Sequence, residues 1–264
     1  MNSRNRLPEK FVQALRNGDA EAARVFLHQG VDLDAKVSRK GVLELIPPRA
    51  DGLKCLLIKA GARHPGLKQS LVWACNQGDP ELVKALIDYG ADVNQRARSG
   101  TPLMAAVGTG CLETFELLLQ AGADPSLGTT LATPLSKAVV KDRIAMVNRL
   151  LEVGCDPNLT PKYGGVTALH TAIVEDKRDC MMLLLERGAD PNMKAASVMT
   201  GDPCGPLATH TDCSPLHLAL YAGQTHLIPR LLEHGADRAV KDGSGRTVDD
   251  LARDLGILLP GVRE

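Results

Sequence analysis

The chain has 264 residues and balances 31 basic against 31 acidic side chains, so it carries no net charge with which to neutralise the phosphates of duplex nucleic acid. Apolar residues make up 44% and aromatic ones only 3%, which excludes a disordered chain and argues against one large core built on aromatic bulk. No run approaches 18 apolar residues and the start, MNSRNRLPEK, is polar, so we expect no membrane span, no export signal and a cytoplasmic protein, with the nucleus also open to it. Seven cysteines without a CxxC pair read as reduced, buried, small apolar groups.

Two series of residues recur in phase. A Gly closing an amphipathic run appears at Gly30, Gly61, Gly90, Gly122, Gly154, Gly188 and Gly235, in steps of 31, 29, 32, 32, 34 and 47. A Thr-Pro or related start appears at Thr101, Thr133, Thr167, Ser214 and Thr247, in steps of 32, 34, 47 and 33. The long step is shared, so it marks an insertion in an otherwise regular array.

In chain order, a first unit over about 9–34 lacks the Thr-Pro start, as a capping repeat would. A second, over about 40–62, carries Pro47-Pro48 where its first helix should finish, which predicts a short or distorted helix. Five more regular units cover 69–94, 101–126, 133–158, 167–192 and 214–239, and 247–264 supplies a closing half-unit. The insertion, 193–213, is 21 residues long where the preceding connection has 8. GDPCGP at its centre has turn chemistry, and Val198, Met199 and Leu207 offer apolar contacts.

One unit shows the chemistry of all. Thr101 is an N-cap, Pro102 suits the first helical position, and Leu103, Ala105 and Ala106 make a short helix of small side chains. Gly110 reverses the chain. Leu112, Phe115, Leu118 and Leu119 then form the apolar stripe of a second helix, which Gly122 ends in the left-handed conformation. Such a hairpin cannot bury its stripe alone, so stability must come from stacked neighbours.

The starts TPLMAA, TALHTA and SPLHLA, the endings GADVN, GCDPN and GADPN, and the spacing resemble the ankyrin-repeat family over nearly the whole chain. The resemblance implies an all-α solenoid of stacked helix-turn-helix units with short β-hairpin turns. It implies that His170 and His217 bond the turns and join neighbouring repeats. It also implies a non-catalytic adaptor, inhibitor or scaffold, a monomer, that binds a protein partner on a concave face made of turn tips and first-helix ends. A bacterial immunity or effector-type protein is the alternative role, and an enzyme fits least. On that face the contact residues are Arg96, Arg98, Lys141, Lys162, Tyr163, Glu175 and Tyr221. Cations are in excess in the first three turns (Lys36, Arg39, Lys40, Arg63, Lys68, Arg96 and Arg98), which suits a partner with an acidic segment. Asn94 lies two residues after Asp92 and eight after Leu86, a pattern like that accepted by asparaginyl hydroxylases, so it is the candidate modification site.

No nucleotide-binding, metalloprotease or hydrolase motif is present, and we assign no catalytic, cofactor or metal residue. Cys204, His210, Cys213 and His217 are spaced C-x5-H-x2-C-x3-H, which matches no common zinc pattern.

Overall fold

The computed structural model describes residues 7–33, 42–47, 51–61, 71–88, 90–162, 165–196 and 211–259. The elements come in pairs. The first pair is α1 (Glu9–Asn17) and α2 (Ala20–His28), joined through left-handed Gly18 and the Asp19 cap on the Ala22 amide. In the second unit the first helix shrinks to a 3-10 turn, Val42–Leu45, just before Pro47, while α3 (Asp51–Lys59) keeps its full length. The prolines cannot continue an α-helix there.

The remaining pairs are α4 (Leu71–Gln77) with α5 (Pro80–Asp88), α6 (Pro102–Thr109) with α7 (Leu112–Gln120), and α8 (Pro134–Val140) with α9 (Ile144–Glu152). They continue with α10 (Ala168–Val174) and α11 (Arg178–Glu186), α12 (Pro215–Tyr221) and α13 (Ile228–Glu233), and the closing α14 (Val248–Asp254). Thr101, Thr133, Thr167 and Thr247 each cap the helix they precede by accepting the backbone N–H three residues on.

The stack has two layers. Helices α4, α6, α8, α10, α12 and α14 pack successively on one another, and the longer α3, α5 and α7 do the same on the other side. Small buried residues such as Ala74, Ala106, Ala138, Ala172 and Ala219 let the inner helices approach closely. Among the described residues no sheet forms; the turns close through isolated bridges at Ala97–Gly100, Ala195–Cys213 and Lys241–Thr247.

One sequence expectation needs correction. Leu112 was assigned to the buried stripe of α7 but is 48% exposed, whereas Thr114, Phe115 and Leu118 are fully buried. Leu112 is the first residue of the helix, where the chain is still leaving the inner layer. Thr114 takes the buried place, and its hydroxyl has no hydrogen-bond partner among the described residues.

Candidate partner-binding face

Several polar side chains within the stack join one repeat to the next. His170 is fully buried, with Nδ1 2.7 Å from Thr167 Oγ1 and Nε2 3.0 Å from the Met193 carbonyl in the following turn. The Thr167 amide donates to Nδ1, so the ring bonds outward as the neutral Nε2–H tautomer. Burial is the main reason its pKa falls to about 4. His217 repeats the arrangement between Ser214 Oγ and the Arg246 carbonyl, and burial again lowers its pKa. Both rings thus have the turn-bonding role that sequence implied.

Three asparagines form a second set of joints. Asn94 donates to the Gly122 carbonyl (3.1 Å) and accepts from the Asp124 amide (2.8 Å). Asn158 does the same with Gly188 and Asp190, and Asn192 with Gly235 and Asp237. The candidate hydroxylation site, Asn94, is therefore a bridge between repeats.

The expected contact residues fall in two places. Arg96 and Arg98 are exposed on the turn closed by the Ala97–Gly100 bridge, and Lys162 is exposed on a later turn. Lys141 and Glu175 are exposed at the far ends of α8 and α10, a helix length of roughly 10 Å away from the turn side. Tyr163 lies outside the described residues, as do Lys36, Arg39, Lys40, Arg63 and Lys68 of the first turns.

Tyr221 is half-buried. Its hydroxyl donates to Asp242 Oδ2 at 2.8 Å and accepts from the Arg246 guanidinium, which also lies 5.8 Å from the ring centroid. Asp242 is buried, which alone would raise its pKa. Donation from Ser244, the Arg246 amide and Tyr221 outweighs this and holds it well below the ordinary carboxylate value. Burial and the Asp242 bond push the Tyr221 phenol up. This cluster fastens the last turn to α12.

The insertion is described only at its base, where Ala195 and Cys213 exchange backbone hydrogen bonds of 2.9 and 3.2 Å and Thr211 accepts from Gly243. Val198, Met199, Cys204, Leu207 and His210 lie outside the described residues. Of the possible zinc set, His217 already has both ring nitrogens hydrogen-bonded. Burial foremost raises the thiol pKa of Cys75 and Cys213 to about 12 and of Cys155 and Cys180 to about 11, so these are poor nucleophiles.

Comparison with known families agrees with this architecture. A model described as ankyrin repeats (3 copies) matches residues 49–129 and 128–195, and one described as ankyrin repeat matches 211–243, together more than half of the chain. The chain belongs to the ankyrin-repeat family. Among solved structures, the human ASB11 ankyrin repeat domain is similar, with a TM-score of 0.56 and 24% identity over 92% of this chain and 91% of that one. At that identity the likeness shows the fold alone. No curated protein matches. Ankyrin repeats generally mediate protein–protein interaction, and the family is typically non-catalytic. No described helix is long and apolar enough to cross a membrane.

Lys137 and Arg143 were missed from sequence. Both lean on the preceding repeat, Lys137 over Gly108 and Arg143 over Gly110. Aligning the repeats would have found them, since Arg143 falls where the next repeat has Lys177.

Proposed function

We propose that this ankyrin-repeat protein is a non-catalytic adaptor, inhibitor or scaffold, acting as a monomer, that holds a protein partner on its turn tips and inner-helix ends. The observation that carries the reading is a division of labour among polar groups. Buried His side chains, half-buried Asn side chains and the Thr101 hydroxyl join repeats, while Arg96 and Arg98 on a turn and Lys141 and Glu175 at inner-helix ends stay exposed. Lys162, exposed on a later turn, and its sequence neighbour Tyr163 belong to the proposed contact residues. Tyr221, half-buried and with its hydroxyl engaged by Asp242 and Arg246, completes the proposed contact residues. An acidic segment on the partner would be drawn by the cations, with a salt-sensitive association rate.

The test is affinity capture from native lysate, identification of the partner, and titration of that partner against Arg96→Glu/Arg98→Glu and Lys141→Glu proteins. We expect at least one variant to weaken binding about tenfold or more, roughly 1.4 kcal/mol, without lowering the thermal midpoint. Unchanged affinity in both would remove this face from the interaction.

A further inference from the structure

Equivalent positions in successive repeats differ in what closes the inner helix. The left-handed residue there is glycine in most repeats (Gly18, Gly78, Gly110 and Gly223) and is an acid in two, Asp142 after α8 (φ 53°) and Asp176 after α10 (φ 52°). In the later repeats the following unit sends a basic side chain to that residue. Lys177 Nζ lies 3.4 Å from Asp142 Oδ2, and His226 Nε2 lies 2.8 Å from Asp176 Oδ1. Arg143 occupies, one repeat earlier, the position of Lys177. What it meets is glycine: a Cβ placed on Gly110 would lie 2.5 Å from Arg143 Cζ.

Lys137 does the same nearby. Its Nζ lies 3.2 Å from where Gly108 would carry a Cβ, at a position filled by Val140 and Val174 in the next two repeats. Lys141 follows one helical turn after Lys137. None of the three cations has a hydrogen bond or ion pair among the described residues, and the adjacent Asp142 is engaged by Lys177 and the Cys180 thiol. Lys137 is half-buried, and burial followed by the charge of Lys141 lowers its pKa, as expected of a cation without a counter-charge.

We infer that the notch between Gly108–Gly110 and Lys137, Lys141 and Arg143 is the seat for an Asp or Glu side chain from an acidic segment of the partner. That carboxylate would stand where Asp142 and Asp176 stand in the following repeats. Those repeats set the chemistry of the seat as carboxylate. A neutral chain with three clustered cations offers no long track for a nucleic-acid backbone. With glycine at 108 and 110 the far ends of Lys137 and Arg143 lie against the backbone, and a small swing of the flexible Arg143 side chain would present its planar fork to a carboxylate. The inference rests on the reading of the chain as a protein-binding module.

The test uses the full chain and a phage-displayed library of random 12-residue peptides. Wild type, Lys137→Gln/Arg143→Gln and Gly110→Asp proteins are selected in parallel. Gly110→Asp fills the seat from within, since Asp already adopts this backbone at 142 and 176. Selected peptides and their Asp/Glu-to-amide versions are then titrated by fluorescence anisotropy, and their contacts are mapped by amide chemical shifts. We expect acidic peptides to be enriched on wild type, to perturb Gly108–Cys111 and Lys137–Arg143, and to lose at least tenfold in affinity on both variants and on amidation. If Gly110→Asp does not fold, the Gln pair carries the same expectation. Peptides that bind all three proteins equally, or that map to Arg96 and Arg98, would overturn the notch and leave the protein-binding reading standing. No enrichment on any protein would overturn both.

Discussion

The repeats starting at Thr101 and Thr167 share a backbone and differ in how they hold the next unit. The Thr167 repeat reaches forward three times: His170 to the Met193 carbonyl, Asp176 to His226, and Asn192 to Gly235 and Asp237. In the Thr101 repeat the same positions are Met104, Gly110 and Ser126. Ser126 turns back to its own Asp124 at 2.6 Å, and forward polar contact falls to the Thr101–Leu127 bond, the Cys155 thiol on Pro125, and the Glu116–Arg149 pair on the outer helices. Phe115 and Leu118 in one repeat and Met181 and Leu184 in the other are fully buried, so packing is common to them and polar joining is not. Burial alone suffices to stack a repeat, and the polar joints are a separate layer that individual repeats can give up.

The largest expected effect separates the two through acid. His170 has a folded pKa of about 4 against an ordinary value of 6.5. Its protonation is favoured in the unfolded chain, so its contribution is complete above pH 6.5 and is lost as pH falls toward 4. Protonating Nδ1 would also set its new proton against the Thr167 amide. We expect a loss of roughly 2–3 kcal/mol between pH 7 and pH 4.5. Amide exchange should report it in α10 and α12 ahead of α6, where Met104 has no proton to take. His170→Met, which copies Met104, should remove most of that dependence. A pH profile identical in wild type and variant would show that His170 is not the group responsible. Asp242, held low by its donors, contributes in the same sense but only below the ordinary carboxylate range.

The next effect exchanges a single side chain between the two repeats. Asn192→Ala leaves the Gly235 carbonyl and the Asp237 amide without this partner, and should cost about 2 kcal/mol. Ser126→Asn should gain about 1 kcal/mol if the new amide reaches the next turn as Asn94, Asn158 and Asn192 do. Urea unfolding of the two variants reads both. A neutral Ser126→Asn would mean that the spacing of this joint, and not its side chain, denies it the bridge.

Much of this architecture was legible in the sequence because each repeat reports on the same few constraints. Thr-Pro starts, closing glycines and the Pro47-Pro48 interruption each have a local cause, and a local cause is readable one residue at a time. The two buried histidines were legible because the family pattern carries them. The candidate site was less legible. Arg143 over Gly110 is a contact between repeats, meaningful only once residues one period apart are compared. Tyr221 reads as an exposed aromatic from its own helix, and its engagement depends on Asp242 and Arg246, one repeat later. Leu112 fits the apolar period of α7 but sits on its first turn, where periodicity carries no information about burial.

The smallest expected effect concerns Thr114, where the Thr101 repeat departs from its neighbours in the core itself. Leu82, Met146 and Cys180 occupy the equivalent position and are fully or almost fully buried. Thr114 is buried as they are, yet its hydroxyl finds no hydrogen-bond partner among the described residues. A buried hydroxyl left unpaired costs about 1–3 kcal/mol, and Val has nearly the same shape without that group. Both side chains are β-branched, so helix propensity is almost unchanged. Thr114→Val should therefore stabilise the chain by about 1 kcal/mol, the gain appearing as slower amide exchange in α7 and in the α6 and α5 helices packed on it. The control is Cys180→Ser, which introduces a hydroxyl at the same position of the Thr167 repeat. There Asp142 can accept it, since the thiol already lies 3.8 Å from Oδ1, so the cost should be small. A destabilising Thr114→Val would mean that the hydroxyl is satisfied by water or by a neighbouring carbonyl in solution. The Thr101 repeat would then be weaker than the Thr167 repeat only in its joints, and not in its core.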